Sequence, residues 1–140
     1  MAMTTRTQLI EAVDHYSASR TSNLMRLKSC EAWFYQIEIE DRTYTVLQSY
    51  STPVALYSPR TGTVYAFDQY SATTTQHIYK FARLMGASRI TKLYRDSTRC
   101  IEVALNEYAS TFKLTAAQWR DLIDRDFQGY IETIVGRVAE

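Results

Sequence analysis

Apolar side chains recur at every second position from Trp33 to Ile39, and this spacing is the feature that most limits the fold of the chain. Gln36, Glu38 and Glu40 lie on the other face. Because successive side chains of a strand point to opposite faces of a sheet, a period of two predicts a strand with one buried face.

Three more strand-like segments follow, rich in Thr, Val and Tyr, and turn signals separate them. A turn near residues 40–42 and the segment Ser-Pro-Arg-Thr-Gly at 58–62 predict reversals of the chain. We expect Thr52-Pro53 to interrupt pairing, since proline has no N–H to donate. The sequence predicts an antiparallel meander of four strands, with a short fifth strand at residues 89–94. The later strands of the meander are expected at residues 43–50, 54–57 and 63–67.

Helical spacing of apolar residues predicts the helices. The first helix is expected at about residues 5–17. In the second, Thr73 and Gln76 fit a capping box and Gly86 is a natural stop. The spacing of Ile101, Ala104 and Leu105 indicates a further helix, and two more are expected before residue 140. The predicted class is α+β: a small antiparallel sheet of four to five strands, with an N-terminal helix and a C-terminal helical segment packed on it.

The length of 140 residues fits one domain, with a sheet-containing part at 1–95 and a helical part at 96–140. Cys30 and Cys100 belong to no Cys-x-x-Cys pair, so neither zinc nor a disulfide is predicted. No cofactor is expected. The N-terminal residues lack an apolar signal segment, and no apolar run is long enough to cross a bilayer. A cytoplasmic protein without membrane contact is therefore expected.

Basic side chains concentrate in the middle of the chain. Residues 46–100 carry seven basic and two acidic side chains, whereas residues 101–140 carry four basic and seven acidic ones. A basic surface of this kind attracts phosphates or an acidic protein surface. The alternative is a solvated face that the acidic C-terminal part neutralises. The basic residues after the second helix begins are Lys80, Arg83, Arg89, Lys92, Arg95 and Arg99.

His77 lies one turn into the second helix, after a run of threonines. The first N–H groups of a helix favour anions, so the segment is a candidate anion site; the alternative is that the threonines cap the helix and His77 packs. Base-activated hydroxyl chemistry is poorly supported, because no Gly-x-Ser-x-Gly motif is present. Asp121, Asp124 and Asp126 are expected on a solvated acidic helix, so no metal site is predicted.

The chain contains 11 tyrosines, and tyrosine is enriched at binding surfaces as well as in strands. Together with the threonines, His77 and the basic run, these rings form the predicted binding residues. They are Tyr50, Tyr57, Tyr70, Thr73, Thr74, His77, Tyr79, Lys80, Arg83, Arg89, Lys92, Arg95 and Arg99.

Two short segments, Ser-Tyr-Ser-Thr-Pro-Val-Ala at 49–55 and Tyr-Ser-Ala-Thr-Thr-Thr-Gln-His at 70–77, resemble a family of small uncharacterised domains found largely in bacteriophages and other mobile elements. The family pattern is Ser-Tyr-x-Thr-x-Val-Ala, a hairpin, then Tyr-Ser-x-Thr-Thr-x-x-His. The resemblance covers about residues 15–85, and here a third threonine, Thr75, follows the pair. The matching positions are Tyr50, Thr52, Tyr70, Ser71, Thr73, Thr74 and His77. The resemblance implies a phage setting, hence the host cytoplasm, and no established activity.

The leading hypothesis is a small non-enzymatic phage-type protein that binds another protein. In that setting an antagonist of host defence is expected, such as an anti-CRISPR inhibitor of a nuclease effector complex. The alternative is a nucleic-acid-binding accessory or regulatory protein that uses the basic run at 80–99. A hydrolase or nuclease that uses His77 is the least favoured hypothesis. A homodimer in which one copy covers an edge strand of the other is a further alternative.

Overall fold

The computed structural model of the 140-residue chain describes residues 9–11, 13, 24–27, 30–39, 42–68, 70–93, 100–105, 111–114, 118 and 126. These residues form one eight-stranded sheet, in which the strands follow one another in sequence order, and one helix with defined ends. The elements are β1 (Met25–Arg26), β2 (Ala32–Ile39), β3 (Arg42–Ser49), β4 (Thr52–Ser58), β5 (Thr63–Ala66), α1 (Ala72–Met85), β6 (Arg89–Leu93), β7 (Cys100–Ala104) and β8 (Thr111–Leu114).

The predicted meander is confirmed as β2 to β5, all antiparallel. In β2 the side chains of Tyr35, Ile37 and Ile39 are buried, whereas Gln36 and Glu38 are exposed. The period-two pattern therefore places the apolar face of this strand where the sequence predicts it.

Pro53 lies inside β4, where the sequence predicts an interruption. The pairing with β3 shifts at this point: Leu47 pairs with Ala55 and Gln48 pairs with Pro53, which leaves Val54 without a partner in β3. At a β-bulge one residue has no partner in the neighbouring strand, and the regular hydrogen-bond pattern is interrupted there. The strand can therefore continue past a proline, which has no N–H.

Helix α1 connects β5 to β6, which pair in parallel. Its N-cap is Ser71, whose hydroxyl accepts the Thr74 N–H at 3.3 Å, so the capping box predicted at Thr73 is wrong by two residues. The stop at Gly86 is confirmed, with φ +70°. The Gly86 N–H donates to Arg83 and the Ala87 N–H donates to Ala82, which is the Schellman arrangement.

The sheet is larger than the four to five strands predicted, and the prediction of a helical C-terminal part is wrong for two of its segments. Residues 100–104 form β7 and residues 111–114 form β8, and both strands extend the sheet beyond β6. The physical reason is visible in β7, where Ile101 and Val103 alternate with Glu102. Gln118 and Asp126 are helical, and the last helix predicted, at 127–138, lies outside the described residues.

Helix α1 covers one face of the sheet, called the α1 face below. Its core joins Ile78 and Phe81 of α1 to Leu47, Ala55 and Ile90 of the strands. The opposite face carries a second set of buried side chains, namely Tyr35, Ile37, Tyr44, Val46, Leu56 and Tyr65. The helical residue Asp126 contacts Tyr44 on this second face, so the helices do not all pack on one side.

The predicted first helix is confirmed at the positions that the structure describes. Leu9, Ile10, Glu11 and Val13 are helical. Leu9 and Val13 are fully buried, as the apolar stripe of the sequence predicts.

Candidate functional site

The two motif segments meet where β3 ends and α1 begins. The Ser49 hydroxyl lies 3.1 Å from Thr74 Oγ1 and 3.0 Å from His77 Nδ1. Ser49, Thr74 and His77 are 3%, 8% and 6% exposed. This hydroxyl–histidine cluster, defined by these three residues, connects the first two turns of the helix to the sheet.

The imidazole of the cluster favours its neutral form. Burial is the largest cause that lowers the pKa of His77, and the Lys80 ammonium lowers it further, while Glu31 acts in the opposite direction. A neutral imidazole has one donor and one acceptor nitrogen, so it pairs with the Ser49 hydroxyl in either direction. At neutral pH, therefore, the cluster is a set of uncharged hydrogen-bonding groups.

Tyr50 follows Ser49 directly and has a left-handed backbone, with φ +56°. Its N–H donates to the Glu31 carbonyl at 2.9 Å, and its carbonyl accepts from Gln48 Nε2 at 3.0 Å. The ring is 55% exposed, and its centroid lies 6.0 Å from that of His77. A bulky residue with positive φ is a strained conformation that persists because its surroundings hold it. The result is an exposed aromatic ring in a fixed position.

The outer face of α1 is basic, and it adjoins His77, whose ring lies 6.0 Å from that of Tyr50. Thr73, Gln76, Lys80 and Arg83 are exposed along it. The helix contains no acidic residue, and Lys80 and Arg83 give its outer face two basic side chains. Tyr50 and these four side chains are called the Tyr50–α1 surface below. The side chain of Glu31, whose carbonyl accepts from the Tyr50 N–H, is ion-paired with Arg26 at 2.9 Å.

The other predicted rings are less exposed than Tyr50. Tyr57, Tyr70 and Tyr79 are half-buried and pack against the core of the α1 face. Tyr79 contacts Lys92, whose Nζ lies 5.1 Å from the ring centroid, and this cation–π contact joins α1 to β6.

The basic run does not form one continuous patch. Lys92 has the same side-chain direction as Ile90, which lies in the core of the α1 face. Arg89 alternates with Ile90 and pairs with Thr63, so its side chain belongs to the opposite face. Arg95 and Arg99 lie outside the described residues.

Two residues of interest were absent from the predicted set. Ser49 is part of the motif at 49–55, but its role depends on a contact with a helix 25 residues away, which no local pattern shows. Asp126 was expected on a solvated helix and is fully buried. Its position four residues before Tyr130, near the apolar stripe of the last predicted helix, was the available signal.

The described residues contain no group of three His, Cys, Asp or Glu side chains that could bind a metal ion. In the same part of the chain, no helix has the length and apolar character that crossing a membrane requires.

Comparison with known proteins gives one match. Residues 12–97 match the sequence model of a family of unknown function, DUF8033. No curated protein matches the chain, and no solved structure does. The matched range contains the whole meander, helix α1, β6 and the hydroxyl–histidine cluster. The chain therefore belongs to the DUF8033 family.

Proposed function

We propose that this chain is a non-enzymatic binding protein that recognises another protein through the Tyr50–α1 surface. The observation that carries this proposal is the strained, exposed Tyr50 above a buried cluster. Strain in the backbone is typical of sites where a side chain must be presented in one position. Tyrosine is also among the residues that contribute most to binding energy at protein interfaces.

The burial of the cluster favours a positioning role over catalysis. The 3.0 Å separation of Ser49 Oγ and His77 Nδ1 matches that of a nucleophile and its general base. A nucleophile must also reach a substrate, and the Ser49 side chain is 3% exposed. The same hydroxyl is shared with Thr74, which anchors it to the helix. The cluster thus fixes the helix and the neighbouring Tyr50.

The charge of the surface supports a partner that carries acidic groups. Lys80 and Arg83 are exposed on a helix without acidic residues, so an acidic or mixed protein surface is complementary to it. The resemblance of both motif segments to phage-type domains makes a host-defence nuclease complex the first partner to test. In that case, the chain acts as an inhibitor that contacts protein rather than imitating DNA.

The test is capture of partners from a bacterial lysate that contains CRISPR effector complexes, with and without nuclease treatment. The wild-type chain is expected to retain an effector protein in both arms. Tyr50→Ala is expected to lose it, whereas Met25→Ala, at a position 60% exposed on β1, keeps it. Equal retention by Tyr50→Ala and the wild type would contradict the proposed surface.

A nucleic-acid partner is the second candidate, and the contact between Tyr79 and Lys92 favours it. Proteins that bind single-stranded nucleic acid combine aromatic rings with basic side chains in this way. Binding of this kind weakens steeply with salt, and the slope follows the number of phosphates neutralised. We expect Lys80→Ala and Arg83→Ala each to reduce that slope by about one if this candidate is correct. A salt-independent affinity would exclude it.

A further inference from the structure

Hydrogen bonds in the hydroxyl–histidine cluster can run in two directions. The contact between Ser49 and His77 Nδ1, at 3.0 Å, allows either group to donate. The Ser49 hydroxyl also lies 3.1 Å from Thr74 Oγ1, and it has only one proton to donate. Ser49 therefore uses its proton toward one partner and accepts from the other, so the direction of one contact sets the direction of the other.

The Thr74 hydroxyl decides between the two directions. Within the described residues its one hydrogen-bond partner is Ser49, and Thr74 is 8% exposed. If Ser49 donated to Thr74, the Thr74 proton would have no acceptor, and a buried donor without an acceptor is unfavourable. If Thr74 donates to Ser49 and Ser49 donates to His77, both hydroxyl protons have acceptors. In that direction Nδ1 is the acceptor nitrogen of the neutral ring, and the ring proton is on Nε2.

The second ring nitrogen, Nε2, is the donor that the cluster leaves over. In the described part of the chain Nε2 has no hydrogen-bond partner, and it is not one of the buried polar atoms that lack one. The His77 side chain is 6% exposed, and its ring lies 6.0 Å from the exposed ring of Tyr50. The Nε2 N–H is therefore a donor at the edge of the Tyr50–α1 surface, with no acceptor among the described residues.

The charges around the imidazole favour an anionic acceptor. Burial and the ammonium of Lys80, one helical turn after His77, lower the pKa of the ring and keep it neutral. The charge of Glu31 also reaches the ring, but this carboxylate is ion-paired with Arg26 at 2.9 Å. An added carboxylate would accept from the Nε2 N–H and interact with Lys80. Hydrogen bonds to an ionised acceptor are stronger than those to a neutral one.

We propose that the Nε2 N–H of His77, set as the donor by the hydrogen bonds from Thr74 through Ser49, binds an Asp or Glu side chain of the protein partner. This inference rests on the proposed function, because it names the group that the Tyr50–α1 surface recognises. Ser49 and Thr74 are positioning residues, since they act through His77 and do not touch the ligand. The surface thus combines an aromatic ring, an uncharged donor and a basic side chain.

The position of the ring proton is tested on the full chain without a partner at pH 7.5. Long-range ¹H–¹⁵N correlation spectra of the imidazole distinguish a protonated ring nitrogen from an unprotonated one. We expect the proton on Nε2 in the wild type and in Thr74→Ser, which keeps the hydroxyl. Thr74→Val removes the donor to Ser49 and should show a measurable fraction with the proton on Nδ1. A wild-type proton on Nδ1 would overturn the proposal, even if the valine variant fails to fold.

The ligand class is tested in the same spectra with acetate as the probe, at an ionic strength held constant with sodium chloride. Acetate should shift the Nε2 resonance of His77 in a saturable way, whereas acetamide, its neutral analogue, should not.

Lys80→Ala should weaken acetate binding about twofold to fivefold, as expected for an exposed ion pair. Arg60→Ala is the matched control, because it removes a basic side chain exposed in the turn between β4 and β5. A saturable shift with inorganic phosphate but none with acetate would overturn the proposal in favour of a nucleic acid. The absence of any shift with acetate would also overturn it, while capture of a partner through Tyr50 would be unaffected. The two failures can therefore be distinguished.

Discussion

Tyr50 has an unfavourable backbone conformation, and little of its side chain is buried. Its φ of +56° brings Cβ close to the backbone, which costs about 1 kcal/mol for a residue other than glycine. The ring is 55% exposed, so packing does not offset the cost. Glycine is tolerated in this conformation without a Cβ clash, as Gly62 and Gly86 show elsewhere in the chain. A tyrosine in this position agrees with the proposed contact between its ring and a partner.

Substitutions at Tyr50 separate the backbone from the ring. Tyr50→Gly and Tyr50→Ala both remove the ring, but Tyr50→Gly also removes the strain. We expect the glycine variant to be more stable than the alanine variant by about 1 kcal/mol, the reverse of the usual order in helices and strands. Urea unfolding of both variants measures the difference.

The two variants should also lose partner binding equally, because neither has the ring. If the alanine variant were as stable as the glycine variant, the left-handed conformation would carry no strain. The reason for the tyrosine would then be its packing on His77.

The candidate site could be predicted in part from single residues. Thr74 and His77 are among the predicted binding residues, and the structure brings them to Ser49. The positive φ of Tyr50 could not be predicted, because Ser-Tyr-Ser-Thr contains no glycine or asparagine that indicates a left-handed turn. Asp126 was missed because its burial depends on β3 and the turn at residues 58–62, which are distant in sequence.

At the scale of elements, the hydroxyl–histidine cluster and the N-cap fix the start of α1 by separate contacts. The Ser71 hydroxyl, at the N-cap, accepts a hydrogen bond from the Thr74 N–H. The Ser49 hydroxyl, on the sheet, is hydrogen-bonded to the Thr74 hydroxyl. The helix is thereby oriented on the sheet by its second turn as well as by its apolar side chains. These contacts give the start of α1 a defined position relative to the end of β3, which Tyr50 follows directly.

The N-cap of α1 can be tested by a substitution at Ser71, with a substitution at Thr73 as the matched control. Ser71→Ala removes the acceptor for the Thr74 N–H and should lower the free energy of unfolding by about 1 kcal/mol. Thr73→Ala should leave it unchanged or raise it by a few tenths of a kcal/mol, since Thr73 is exposed and alanine favours helix. Chemical denaturation followed by circular dichroism compares them. A larger loss for Thr73→Ala would restore the capping box predicted from the sequence.

The sequence predicts elements well where long patterns coincide and poorly where a segment is short. In β2 seven residues share one period, and α1 has a start, an apolar stripe and a stop. In residues 100–105, Ile101, Ala104 and Leu105 fit a helix, yet Ile101 and Val103 also alternate around Glu102. Pairing with β6 decides between the two, and a local pattern contains no information about that partner.

For the whole molecule, the sheet separates two chemically different sides. Helix α1 presents Lys80 and Arg83 on one side, whereas the acidic residue described near the C-terminus, Asp126, is buried on the other. Asp126 therefore does not neutralise the basic face of α1, and most of the other acidic residues of the C-terminal part lie outside the described residues.

The buried carboxyl predicts how the stability of the whole chain depends on pH. The folded pKa of Asp126, about 6, lies above the ordinary value of 3.8, so the folded state binds the proton more tightly. Its stabilising effect is complete below the ordinary pKa and is lost as the pH rises through the folded pKa. Between pH 5 and pH 7.5 the loss amounts to about 1 kcal/mol.

Asp126→Asn isolates this contribution from all other titrating groups, because the amide is uncharged at every pH. We expect the free energy of unfolding of the variant, minus that of the wild type, to increase by about 1 kcal/mol from pH 5 to pH 7.5. Urea unfolding at several pH values measures the difference. A constant difference would show that Asp126 titrates alike in the folded and unfolded chain. A decreasing difference would mean that Arg42 and the hydroxyls of Thr61 and Ser58 outweigh burial.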